Sequence, residues 1–180
     1  MPMHDGDVYP PSEDTYLLRR TAVEEARPDD TALEVGTGNG VVAKALKQHV
    51  DRVVATDINP SAVRKTHERG VPAVRTDLVA GIDADFDLVV FNPPYLPSTD
   101  DTPDDAMSQA LGGGETGRET AERFLDEVRR VLAPEGRVLL VTSSLSGVEE
   151  FEQREGFHVE RVATERYFFE ELVVLRLTPR

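Results

Sequence analysis

Three observations predict an α/β fold on a mainly parallel sheet. Short β-branched, apolar runs recur along the chain, segments with helical periodicity and cap residues separate them, and several runs end on an acid or a glycine turn. Nothing resembling a Pro/Gly/Ser-rich linker divides the 180 residues, which are enough to bury a core as one domain.

Pro11 and Ser12, followed by Glu13, Asp14 and Thr15, read as a helix start with Ser12 as N-cap and acids in the first turn, leading into an amphipathic helix through Ala26. Residues 31–35 form the first strand. The turn Gly36-Thr37-Gly38-Asn39-Gly40 feeds a helix to about Gln48, and residues 52–56 form the next strand, closed by Asp57. Pro60 suits a first helical turn, so residues 61–69 are expected to be helical and stopped by Gly70. A short strand over 73–76 and a longer one over 86–91 follow. Residues 96–117, rich in Pro, Asp and Gly, are too long for a simple connection. Residues 118–132 read as a helix, Pro134-Glu135-Gly136 as its turn, 137–142 as a strand, and 157–164 with 171–177 as a final strand pair.

Composition narrows the chemistry. Thirty-four acidic against 20 basic residues give a formal charge of −14, with lysine only at positions 44, 47 and 65. Such a surface repels phosphate backbones, which disfavours a nucleic-acid partner. The surplus of carboxylates resembles the solvation strategy of halophile proteomes. There is no cysteine, so disulfides, thiolate zinc sites and cysteine nucleophiles are excluded, and four scattered histidines lack metal-ligand spacing. No stretch reaches bilayer length and the amino terminus is acidic, so a cytoplasmic location is expected.

Asn92-Pro93-Pro94-Tyr95 follows the 86–91 strand and places an amide at a strand's carboxyl end, where open α/β sheets hold ligands. Two prolines fix φ and supply no N–H, leaving the carbonyls of Asn92 and Pro93 as rigid acceptors. That arrangement suits a substrate bearing an NH2 group. If Asn92 Oδ1 and the Pro93 carbonyl accept its two N–H bonds, its nitrogen can pyramidalise as positive charge develops, and Tyr95 can pack on the planar group. A proline turn capped by asparagine is the plainer alternative.

Upstream, Glu34 opens the glycine turn, which lacks the spacing and lysine of a phosphate loop and so suits an ammonium-bearing ligand better than a pyrophosphate. Asp57 lies where an acid accepts from ribose hydroxyls, and Asp77 where one can accept from a purine amine while Leu78 packs on the ring. Each acid alone reads as an ordinary turn residue; together they imply a nucleoside with an ammonium tail.

These pieces resemble class I S-adenosylmethionine-dependent methyltransferases, and within them the archaeal and eukaryotic HemK-type release factor glutamine methyltransferases. The matching pieces are residues 8–15, 34–40, 56–60, 76–78 and 91–95, and Gly113-Gly114 through Gly117-Arg118-Glu119; Leu111 departs from an aromatic residue common there. The resemblance implies a Rossmann-like, mainly parallel seven-stranded sheet with an antiparallel C-terminal strand, helices on both faces, and one domain over 1–180 with a helical extension over about 1–28. It further implies S-adenosylmethionine as cofactor, with Glu34, Gly36 and Gly38 around its methionine part, Asp57 on the ribose, Asp77 and Leu78 at the adenine, and Thr15 and Asn92 within reach. The implied substrate is the glutamine of a class I release factor's Gly-Gly-Gln loop. The implied partner is a small zinc-binding activator protein that covers an exposed strand edge, here the 73–76 strand. The clamp alone leaves adenine N6 open as an acceptor, but the chain has no room for a basic target-recognition region, and its 98–105 segment carries Asp100, Asp101, Asp104 and Asp105. A non-catalytic scaffold subunit is a third reading, which the intact Asn92 to Tyr95 element disfavours.

Overall fold

The computed structural model describes Val8, residues 10–95 and residues 116–180. Tyr9, the Asp100 to Asp105 acids, Leu111 and the Gly113-Gly114 pair therefore lie outside the described residues, as does most of the 96–117 segment. The elements are α1 (Glu13–Glu25), β1 (Thr31–Val35), α2 (Val41–Leu46), β2 (Arg52–Asp57), α3 (Pro60–Glu68), β3 (Ala73–Arg75), β4 (Phe86–Phe91), α4 (Glu119–Glu127), β5 (Leu132–Ser143), α5 (Val148–Glu152), β6 (Phe157–Arg166) and β7 (Glu171–Pro179).

They build one seven-stranded sheet in the order β3-β2-β1-β4-β5-β7-β6. The pairs among β1 to β5 are parallel, while β5/β7 and β6/β7 are antiparallel. Alternation with period two explains why β1 and β4 are apolar on both faces: Leu33, Val35, Val89 and Phe91 point into one core, and Ala32, Leu88 and Val90 into the other. The first core is covered by Phe124, Leu125 and Val128 of the α4 region and Phe151 of α5, the second by Leu17 and Leu18 of α1 and Val42 and Leu46 of α2. Helices thus lie on both faces.

Chain order reverses between β1 and β4, and their register pairs Val35 with Phe91. Gly36 and Asn92, the next residues of each strand, therefore emerge side by side at the switch point, the crevice in which such sheets bind ligands.

The strand expected from Arg137 instead begins at Leu132, and the turn expected at Pro134-Glu135-Gly136 lies within it. Phe86 pairs with Leu132 and Leu88 with Arg137, so residues 133–136 bulge from an otherwise continuous ladder. Gly136 fits that bulge because a Cβ there would meet the Phe86 and Ala133 carbonyls at 2.8 Å. The expected 118–132 helix is correspondingly shorter, with a 3-10 turn over Val128–Val131. Helix α2 stops at Leu46, short of Gln48, and α5 was not expected from sequence.

Candidate active site

The switch point opens into a cavity of about 700 Å³, lined by the glycine turn, Asp57, Asp77, Leu78, Asn92 to Tyr95, Thr15, Val8, Thr120 and Arg123 among others. That size suits a nucleoside-bearing ligand. The cavity brings together every site residue expected from sequence: Thr15, Glu34, Gly36, Gly38, Asp57, Asp77, Leu78, Asn92, Pro93, Pro94 and Tyr95.

On the β1 side, the turn after Val35 uses left-handed backbone at Gly36 (φ 63°), where a Cβ would stand 3.1 Å from the Phe91 ring. Glu34 is buried, and its Oε2 accepts from Thr37 Oγ1 and from the Ala43 N–H, both at 2.8 Å. Burial raises its pKa from 4.5 to about 8; the two hydrogen bonds oppose the rise and the Asp57 charge adds to it. Because the folded pKa lies above the ordinary value, Glu34 contributes stability in full below pH 4.5 and loses it as pH climbs through about 8. Wild type is therefore expected to lose stability relative to Glu34→Gln across that window, by up to about 1.4 kcal/mol per pH unit. Denaturant titrations of both proteins at a series of pH values check this; parallel profiles would refute it.

Asp57 ends β2 and ties the turn to it: Oδ2 accepts from the Gly38 N–H at 2.9 Å and Oδ1 from the Asn59 N–H at 2.8 Å. Burial pushes its pKa up, against those hydrogen bonds. Asp77 is half exposed and receives a bidentate pair from Arg123 of α4, both contacts at 2.9 Å. A ligand amine reaching Asp77 must share it with that guanidinium. Leu78 holds φ 51°, and its carbonyl accepts from Thr56 Oγ1 at 3.0 Å. A non-glycine residue in that region is strained by of order 1–3 kcal/mol, and such strain clusters at ligand sites. Thr15 occupies the third position of α1, where its Oγ1 accepts from the Ser12 N–H at 3.5 Å, so it caps the helix and faces the cavity at once.

At the clamp, a group that sequence reasoning assigned no role beyond first-turn acid takes a central place. Asp14 is buried, and its Oδ2 accepts from Asn92 Nδ2 and from the Tyr95 hydroxyl, each at 3.0 Å. Its Oδ1 accepts from the Ser12 hydroxyl at 2.5 Å and from the Thr15 N–H at 2.7 Å. With the NH2 of Asn92 held by a carboxylate, Oδ1 must be its free acceptor, and that buried atom has no hydrogen-bond partner among the described residues. A desolvated, unpaired acceptor costs about 1–3 kcal/mol, so its retention fits a site awaiting an N–H donor.

Acids at successive strand ends and an oriented amide at the switch point of this sheet define a class I methyltransferase. Residues 15–169 match the methyltransferase small domain, and the chain belongs to that family. A Methanocaldococcus jannaschii chain provisionally named protein N5-glutamine methyltransferase is 36% identical over 94% of this chain and 90% of its own length. Human methyltransferase HEMK2 is 37% identical over 81% of this chain and 76% of its own. Among solved structures, the E. cuniculi Mtq2-Trm112 complex, described as responsible for methylating the eRF1 translation termination factor, superposes with a TM-score of 0.81 at 31% identity, covering 97% of this chain and 99% of that one. Among the described residues, no helix is long and apolar enough to cross a membrane, and no His/Cys/Asp/Glu group could hold a metal ion.

Proposed function

We propose that this chain transfers a methyl group from S-adenosylmethionine to the side-chain amide nitrogen of the glutamine in the Gly-Gly-Gln loop of a class I translation release factor. The observation that carries the reading is the orientation of Asn92: Asp14 holds its NH2, and its buried Oδ1 is left to accept.

The donor set fits the cofactor. Glu34, Gly36 and Gly38 would surround the methionine end, Asp57 would accept from the ribose, and Asp77 with Leu78 would meet the adenine, with Thr15 and Asn92 closing the approach. Bound S-adenosylmethionine supplies an electrophilic sulfonium methyl. The protein's task is then to make a poor nucleophile attack. An amide nitrogen shares its lone pair with its carbonyl; Asn92 Oδ1 and the Pro93 carbonyl, accepting its two N–H bonds, turn the lone pair out of the amide plane. Those bonds strengthen as the nitrogen becomes positive, and this differential stabilisation accelerates the step. The Asp14 carboxylate, one hydrogen bond behind the clamp, favours the same charge. Fixing the nitrogen in line supplies the remainder through orientation, and the methylated nitrogen, now strongly acidic, releases one of its two protons to water to leave the neutral secondary amide.

A protein acceptor is favoured over adenine N6 by the −14 charge. The alternative of a non-catalytic scaffold is weakened by the completeness of the clamp. A small zinc-binding activator protein is the expected partner, with β3, the outermost strand of the sheet among the described residues, offering it an edge on which Val74 is exposed; release factor modification would put both in the cytoplasm. Incubation with labelled cofactor should mark a release factor at its Gly-Gly-Gln glutamine and leave duplex DNA unlabelled, as read by mass mapping. Label on DNA alone would overturn the assignment.

A further inference from the structure

The turn joining β6 to β7 carries an exposed aromatic group that neither the cores nor the cavity use. Phe168 is 93% exposed and Phe169 83%, their rings meet edge-on with centroids 4.7 Å apart, and Tyr167 beside them is 40% exposed. Side chains of this size are seldom left in water together unless something covers them.

The position of the tip says what. Phe91 pairs with Leu140, and Ser143 at the end of β5 pairs with Leu172 at the start of β7, so the tip stands at the carboxyl edge of the parallel strands, the same edge as Asn92. Two strand spacings across and about five residues up place it within about 20 Å of the clamp. The residues flanking it are hydrogen-bonded to the sheet. Glu170 accepts from Ser143 Oγ at 2.7 Å, the Glu171 N–H donates to Ser144 Oγ at 2.9 Å, and the Tyr167 hydroxyl donates to Glu165 Oε2 at 2.5 Å. Glu165 is paired in turn with Arg20 of α1. That ion pair links the hairpin to the helix whose Asp14 orients Asn92.

We propose that Phe168 and Phe169 form a docking knob for the protein substrate, gripping an apolar patch on the release factor beside its Gly-Gly-Gln loop while the clamp takes the glutamine. The inference rests on the function proposed above. A single amide in the clamp offers little affinity, so binding energy must come from contacts remote from the reacting nitrogen. Aromatic anchors are the common carriers of such energy.

The test compares wild type with Phe168→Ala/Phe169→Ala, each with its activator protein present, on a full-length release factor and on a short peptide containing Gly-Gly-Gln. On the whole factor, kcat/KM should fall about tenfold or more through KM, with kcat at saturation retained. Peptide methylation, cofactor affinity and thermal midpoint should be unchanged. Equal turnover of the whole factor, or equal loss on factor and peptide, would overturn the knob. So would loss of activator association or a changed oligomeric state in the variant, since the knob would then serve that contact. A wild type that labels neither substrate removes the proposed function and the knob with it, an outcome distinct from an active wild type matched by its variant.

Discussion

Asn92→Ala is expected to abolish detectable methyl transfer while leaving the fold intact and the cofactor bound. Losing one hydrogen bond to a developing charge costs about 1.5–3 kcal/mol, or roughly ten- to a hundredfold in rate, before misorientation of the substrate nitrogen is added. The deletion removes the acceptor that faces the cavity and strands part of the Asp14 carboxylate, which would keep only Tyr95 on Oδ2. Single-turnover rates, measured with calorimetric cofactor affinity, separate the two effects; near-normal turnover would eliminate the clamp as the source of rate. Asp14→Ala provides a companion measurement. Without that carboxylate the Asn92 amide can rotate and present NH2 to the substrate's own NH2, so kcat should drop with little change in cofactor affinity.

Much of this site was legible because it depends on local chain logic. Glu34, Asp57 and Asn92 each lie at or just beyond the end of a short apolar run, so their place at the strand ends follows from where those runs stop. What sequence reasoning missed depends on contacts between distant segments. Asp14 lies 78 positions from Asn92, and Arg123 lies 46 from Asp77. A signal for Asp14 did exist: it shares the i, i+3, i+4, i+7, i+8 stripe with Leu17, Leu18, Thr21 and Ala22, all buried, so an acid stood on a helix's inner face and needed a partner. The Arg123 pairing left no comparable trace. The turn chemistry of Pro134-Glu135-Gly136 hides the start of β5, and only the Phe86 to Leu132 pairing carries the ladder beyond the bulge.

Stability should be most sensitive at the opposite edge of the sheet, where Asp30→Ala is expected to cost about 3–5 kcal/mol. Asp30 and Arg137 form an ion pair at 2.7 Å with both side chains only 4% exposed. Arg137 also donates to the Asp87 carbonyl at 3.1 Å and to the Glu25 carbonyl, while Asp30 Oδ2 accepts from the Arg27 N–H at 2.7 Å. The pair therefore gathers the end of α1, the entry to β1, the start of β4 and the resumption of β5 after its bulge. Removing the carboxylate leaves a guanidinium buried without its counter-charge, and its Nε already lacks a partner among the described residues. The energy at stake is mainly that uncompensated charge, so Asp30→Leu/Arg137→Met, which removes both ions, should recover most of the loss. Urea midpoints of the single and double variants decide the matter: a single-variant loss under about 1 kcal/mol would mean that water reaches Arg137. The same pair fixes the carboxyl end of α1 on the sheet, and α1 carries Asp14 at its other end. Loosening it should therefore weaken the hold on Asn92 as well, lowering kcat in Asp30→Ala at temperatures where the variant is still folded.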